Sequence, residues 1–197
     1  AHSTVRHGLG FAFEGSTLPS HWALADGTDT EILSWLDDHS RYALSLTAHY
    51  AVTGPYVLAT FRAAIDAHGI PAATLTDNGL VFTTRFVHGP NSFEHELATL
   101  GITQKNGRPS HPQTQGKVER FQQTLKKWLR AQPRATSLDA LQAQLDTFAE
   151  IYNQQRPHRS LHAQTPAAAY TARAKASPTG SSGHWRIRHD KVSNGRV

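Results

Sequence analysis

The fold is decided by the stretch QGKVERFQQTLKKWLR, residues 115–130. Its apolar residues recur at intervals of three and four positions, which is the period of one face of a helix. They are Val118, Phe121, Leu125, Trp128 and Leu129. Because the other positions are mainly polar or charged, the stretch predicts an amphipathic helix that packs one face against a core.

Strand and helix patterns alternate upstream of this helix. The predicted elements are strands at 21–25, 30–36 and 42–48, a helix from 55 to about 68, a strand at 72–76, a helix at 93–100 and a short strand at 102–104. Asp26-Gly27 suits the tight turn of a hairpin between the first two strands. The order indicates an α+β fold with a central mixed β-sheet flanked by helices.

Three further segments complete this prediction. The polar, proline-containing residues 109–114 favour irregular chain before the amphipathic helix. A second long helix is predicted from Ser137 to Tyr152, with Ser137 as its N-cap. An alanine-rich helix is predicted from Thr165 to Ala176, opened by Pro166.

The composition narrows the class of protein. Lys and Arg number 20 against 15 Asp and Glu, giving a net charge of +5, which favours a polyanionic partner over ordinary surface charge. The chain has no Cys, which excludes disulfides and thiolate zinc sites. No stretch of the sequence predicts a membrane span or a signal peptide, so we expect a cytoplasmic protein.

Two carboxylates are candidates for chemistry. Asp77 directly follows a predicted buried strand, and Asn78-Gly79 lets the chain turn away at that point. Glu119 lies beside the apolar arc of the amphipathic helix, so its carboxylate can face the same cleft. The structural alternatives are a plain turn at Asp77 and a solvated partner for lysine at Glu119.

The segment from His111 to Phe121, HPQTQGKVERF, resembles the third-carboxylate motif of bacterial DDE transposases and retroviral-type integrases. The resemblance extends in the family's order over residues 33–41, 75–79 and 152–161. It implies a ribonuclease-H-like core in which Asp77 is the second catalytic carboxylate and Glu119 the third. In that family the carboxylates bind two Mg²⁺ or Mn²⁺ ions, and no small-molecule cofactor is needed.

The same resemblance implies DNA 3′-end processing and strand transfer, with element ends and target DNA as partners and a homo-oligomer as the acting form. The residues that we expect to bind DNA are basic or amide side chains near Glu119. They are Lys105, Arg108, Lys117, Arg120 and Gln115. Solubilising surface charge is the structural alternative for the basic ones.

One catalytic position departs from the family's pattern. The first catalytic Asp of the family precedes a His-Trp pair, here His21-Trp22, and Leu18 occupies the expected place. The resemblance therefore implies an impaired enzyme. Asp37 is a candidate substitute carboxylate, because pairing about the hairpin turn would bring it toward position 18. We prefer to interpret residues 37–41 as a strand-ending turn with an Asp–Arg contact.

The predicted organisation has four parts. Residues 1–20 are interpreted as a poorly ordered N-terminal remnant, 21–174 as the integrase-like catalytic core, 175–183 as a linker and 184–197 as the truncated start of a C-terminal β-barrel. The absence of Met favours a fragment of a longer chain. Two other functions stay open: a non-catalytic DNA-binding remnant of a transposase, and a ribonuclease-H-like nuclease without strand transfer.

Overall fold

The computed structural model describes residues 12–15, 20–76, 79–84, 89–106, 112–172 and 177–178, with 12–15, 106 and 112–115 described by their backbone. The strands are β1 (Ala12–Gly15), β2 (Ser20–Ala23), β3 (Asp29–Asp37), β4 (Ala43–His49), β5 (Ala73–Thr76) and β6 (Thr103–Asn106). The helices are α1 (Gly54–His68), α2 (Ser92–Thr99), α3 (Pro112–Arg130), α4 (Leu138–Glu150) and α5 (Pro166–Thr171). A π-helical turn, Ile151–Gln155, continues α4, and a 3-10 turn spans Arg159–Leu161.

The six strands form one mixed sheet, as the sequence predicted. β3 pairs antiparallel with β4 along one side and, along the other, with β2 and then β1. β1, β5 and β6 run parallel to one another. Since parallel strands end at the same edge of a sheet, the carboxyl ends of β1, β5 and β6 lie together.

The predicted hairpin is confirmed. Gly27 adopts φ 89°, a left-handed backbone conformation that favours glycine. The Thr28 backbone N–H donates to Asp26 Oδ1 at 2.9 Å, which closes the turn between β2 and β3.

The differences from the sequence-based expectations include the start of the sheet and the start of α3. We expected regular structure to begin at His21, but β1 precedes it and lies in the middle of the sheet. We also expected irregular chain as far as residue 114, whereas α3 begins at Pro112. Proline is tolerated at the first helical position because the N–H that it lacks would have no partner there.

The sheet separates two apolar clusters. α3 and α4 cover one face, where Leu36 of β3 packs with residues such as Phe121 and Leu145. α1 and α2 cover the other face around Trp35, which is fully buried and donates Nε1–H to Thr60 Oγ1 at 3.0 Å. The apolar face predicted for α3 is thus its buried face. No helix in the described part of the chain is long and apolar enough to cross a membrane.

Side chains from the last long helical segment seal β4 at the edge of the sheet. The Asn153 amide accepts from Ala43 N–H at 2.9 Å and donates to Ala43 C=O at 3.0 Å. Gln142 of α4 likewise accepts from Ala48 N–H and donates to Leu46 C=O, both at 2.9 Å. These bonds replace the missing neighbouring strand, so this edge is closed to further pairing.

Candidate metal and DNA-binding site

The first predicted carboxylate, Asp77, directly follows the end of β5 in the sequence. Thr76 is the last residue of β5, is 1% exposed and pairs with Asn106 of β6. Asp77 follows it directly in the sequence but lies outside the described residues, as does Asn78. The place where the chain leaves the sheet is therefore defined, at an edge where three parallel strands end.

The chain after this point is held by a compact turn. The backbone N–H groups of Phe82 and Thr83 donate to Gly79 C=O at 2.9 and 3.0 Å. The amide of Gln104, on β6, donates to Thr76 Oγ1 at 3.2 Å and to Phe82 C=O at 3.0 Å. One side chain thus links the residue before Asp77 to the turn that follows it.

Glu94 fixes the far end of the same segment. Its carboxylate accepts from Thr83 Oγ1 at 2.6 Å, from Thr84 N–H at 3.2 Å and from Asn91 N–H at 2.9 Å. Asn91 in turn caps α2 by accepting from Glu94 N–H, which completes a capping box. Burial alone would raise the pKa of Glu94, but these hydrogen bonds outweigh burial and hold the pKa below its ordinary value.

The second predicted carboxylate, Glu119, is exposed in the N-terminal half of α3, next to the buried Val118. Two polar contacts lie on either side of Glu119 in the sequence, one with β3 and one with the residue that follows β3. Lys117 Nζ contacts Asp38 Oδ1, and Gln122 Nε2 donates to Ser34 Oγ at 2.9 Å. Together with the apolar packing, these contacts set the rotation of α3 about its axis and hence the direction in which Glu119 faces.

The residues predicted to bind DNA differ in their exposure and in their contacts. Arg120 on α3 and Lys105 on β6 are exposed. Lys117 is paired with Asp38, with 30% of its side chain exposed, so a phosphate would compete with a carboxylate for it. Arg108 lies outside the described residues, and Gln115 is described by its backbone, within α3.

Asp37, the candidate substitute carboxylate, is engaged in a turn. It is 3% exposed, and its Oδ2 accepts from Ser40 N–H at 2.8 Å and from Ser40 Oγ–H at 2.5 Å. The neighbouring Leu36 packs under α3. Burial, followed by the charge of Asp37, raises the pKa of Tyr170 on α5. Because successive strand residues face opposite sides of a sheet, Asp37 faces away from α3, and its bonds to Ser40 favour the strand-ending turn that we preferred.

An Asp–Arg contact accompanies that turn, although it uses Asp38. Arg41 Nη1 lies 3.8 Å from Asp38 Oδ1, and Arg41 adopts φ 65°. Leu18, where the family has its first Asp, lies outside the described residues. Among the residues that are described, no group of three or more His, Cys, Asp or Glu is placed to hold a metal ion.

Sequence reasoning missed two residues that organise this region. Glu94 had a local signal, because Asn91 and Glu94 have the spacing of a capping box. Gln104 had none, because its partners Thr76 and Phe82 are 28 and 22 residues away. It was included in a predicted strand without any function.

Comparison with known proteins agrees with this architecture. Residues 100–166 match the integrase core domain family. The chain is 27% identical over 157 residues to an uncharacterized 31.7 kDa protein of insertion element IS407 from Burkholderia multivorans, covering 78% of this chain and 54% of that protein. It is 27% identical over 151 residues to an uncharacterized 39.2 kDa protein of insertion element IS476 from Xanthomonas euvesicatoria, covering 74% and 40%. The chain thus spans about half the length of these relatives, or less.

The fold has counterparts among solved structures. The catalytic core domain of HTLV-2 integrase, solved in complex with magnesium, superposes with a TM-score of 0.61 at 19% identity, over 82% of this chain and 96% of that one. The fold is therefore the predicted α+β, ribonuclease-H-like one. Residues 100–166 thus share the sequence pattern of the integrase core domain family, and the chain is similar in sequence to proteins of bacterial insertion elements and in fold to a retroviral integrase catalytic core.

Proposed function

We propose that the chain is the catalytic core of a DDE-type transposase, a polynucleotidyl transferase that processes DNA 3′ ends and joins them to target DNA. The observation that supports this most is the arrangement of β5, which Asp77 follows in the sequence, and α3, which carries Glu119. Asp77 follows β5 at the edge where the parallel strands end, and Glu119 lies on the helix that covers the same sheet. Homo-oligomerisation and binding to element ends and target DNA belong to the same proposal.

The donor chemistry of this site fits a hard divalent cation. Asp77 and Glu119 offer carboxylate oxygens, which Mg²⁺ and Mn²⁺ prefer. Two such ions, when bound, would supply the positive charge that activates an attacking hydroxyl and stabilises a leaving oxygen. With Leu18 where the family has Asp, the set is one carboxylate short, so we propose that this copy binds metal weakly and is impaired in strand transfer.

The basic residues would hold the DNA backbone. Arg120 is next to Glu119 on α3, and Lys105 lies on β6, the strand beside β5. Both are exposed, so their charged groups can reach phosphate oxygens. Arg108, Lys117 and Gln115 remain part of the proposed DNA surface, with Lys117 exchanging Asp38 for phosphate.

Restoring the missing carboxylate tests the function directly. A labelled duplex with a recessed 3′-hydroxyl is incubated with supercoiled plasmid and Mn²⁺, and joining and nicking are scored separately. We expect little joining by the parent chain and at least a tenfold gain in Leu18→Asp, which is lost again when Glu119→Gln is added.

The two alternatives give different results in this assay. Nicking that depends on Glu119 without joining in Leu18→Asp would favour the ribonuclease-H-like nuclease. Salt-sensitive DNA binding without nicking or joining in either chain would favour the non-catalytic remnant.

A further inference from the structure

The Gln104 side chain links two described residues that lie on either side of Asp77 in the sequence, Thr76 and Phe82. A glutamine amide nitrogen carries two hydrogens, and both are used here, one toward Thr76 Oγ1 at 3.2 Å and one toward Phe82 C=O at 3.0 Å. The Phe82 carbonyl can only accept, so the nitrogen and not the oxygen of the amide must face it. The orientation of the amide is therefore fixed by its partners.

Both partners of Gln104 are buried. Thr76 ends β5 and is 1% exposed. Phe82 is fully buried and packs edge-on against Trp35, with ring centroids 6.2 Å apart, and against Phe93 at 6.0 Å. The chain therefore leaves one fixed point at Thr76 and returns to another at Phe82.

Gln104 is itself held by the sheet. β6 pairs in parallel with β5, and the Cα of Gln104 is the partner of the Cα of Thr74. Thr74 and Thr76 lie two positions apart on the same strand, so their side chains share one face of the sheet with that of Gln104. The bridge thus crosses one strand spacing and needs no distortion of either strand.

We propose that Gln104 is a positioning residue for Asp77, an inference that rests on the proposed function of Asp77 as a metal ligand. Without the bridge, the segment between Thr76 and Phe82 would have more conformations available, and the Asp77 carboxylate would spend less time where a metal needs it. Groups bonded directly to a metal ligand typically change metal affinity about 10- to 100-fold when they are removed, and we expect Gln104, which acts through the residues on either side of Asp77, to lie at the lower end of that range.

The test must separate positioning from simple loss of stability. Gln104→Met keeps an unbranched side chain of similar length and removes both donors. Thr76→Val keeps the branched shape and removes one of the two acceptors. Gln144→Met is the matched control, because it removes one glutamine-to-carbonyl bond, from α4 to Pro133 C=O at 2.8 Å, away from β5 and β6.

Two quantities are measured on the full chain with each substitution. Calorimetry gives the Mn²⁺ dissociation constant, and amide hydrogen exchange gives the local opening of the Phe82 and Thr83 N–H groups, which bond to Gly79 C=O. We expect Gln104→Met to weaken Mn²⁺ binding at least tenfold and to speed exchange at both amides at least tenfold. Thr76→Val should weaken binding about threefold and Gln144→Met not at all.

Three results would overturn the inference. One is unchanged Mn²⁺ affinity in Gln104→Met when Glu119→Gln abolishes binding. Another is unchanged exchange at Phe82 and Thr83. The third is no Mn²⁺ binding in the parent or in Leu18→Asp, which would also remove the proposed function; the first two leave that function standing.

Discussion

Replacing Asn153 by alanine should destabilise the fold without affecting metal binding. Asn153 is 5% exposed and makes two hydrogen bonds to the backbone of Ala43, at 2.9 and 3.0 Å. Each bond contributes about 1 kcal/mol net, and the truncation also leaves the Ala43 N–H and C=O without these partners. We therefore expect the free energy of unfolding to fall by about 2–3 kcal/mol.

For a chain of this size such a loss lowers the melting temperature by about 4–12 °C. The assay is equilibrium denaturation by circular dichroism, with Gln144→Ala as a control that removes one exposed bond and should change the free energy by less than about 0.5 kcal/mol. A loss below about 0.5 kcal/mol in Asn153→Ala would refute the reasoning. Loss of Mn²⁺ binding with unchanged stability would place Asn153 in the site instead of the core.

Three further predictions concern charged groups. Arg120→Ala should weaken DNA binding and lower the slope of log affinity against log salt concentration by about 1, as measured by fluorescence anisotropy. The control Arg130→Ala should leave the slope unchanged. Equal slopes in the parent and both variants would contradict a phosphate contact at Arg120. Asp37→Asn should cost about 1–2 kcal/mol of stability through the Ser40 turn, with unchanged Mn²⁺ affinity, and a weaker affinity in a folded variant would restore Asp37 as the substitute ligand. Burial, followed by the charges of Arg156 and Arg41, lowers the pKa of His158 in the folded chain. As the pH falls, the unfolded chain therefore protonates this imidazole first. The contribution of His158 to stability is complete above about pH 6.5 and falls as the pH drops below that value. Between pH 7.5 and 5.5 the free energy of unfolding, measured by denaturation, should fall less in His158→Gln than in the parent chain. An identical fall in both chains would contradict this.

Local patterns were sufficient for most of the fold. The apolar period of residues 115–130 predicted the buried face of α3, and Asp26-Gly27 predicted the hairpin, because both depend on residues close in sequence. The predicted start of α3 is wrong, because Pro112 is the first helical residue and does not break the helix. β1 escaped prediction because its four residues owe their conformation to pairing with β3 and β5.

The site was less predictable than the fold. A sequence motif indicates Asp77 and Glu119 as candidate metal ligands, but the contacts that would orient them join residues far apart in the sequence. Gln104 reaches Thr76, and Gln122 reaches Ser34 across 88 residues. No periodicity within one element indicates such a pair, because each partner is an ordinary polar residue in its own segment.

The most direct test of the account is whether Asp77 and Glu119 serve one metal site. Mg²⁺ binding would be measured by calorimetry on the parent chain, Asp77→Asn and Glu119→Gln, with Glu150→Gln as a control for loss of an exposed helical carboxylate. We expect weak binding by the parent and the control, weakened at least tenfold by either of the other two substitutions. Equal binding in all four chains, or none in the parent, would contradict it.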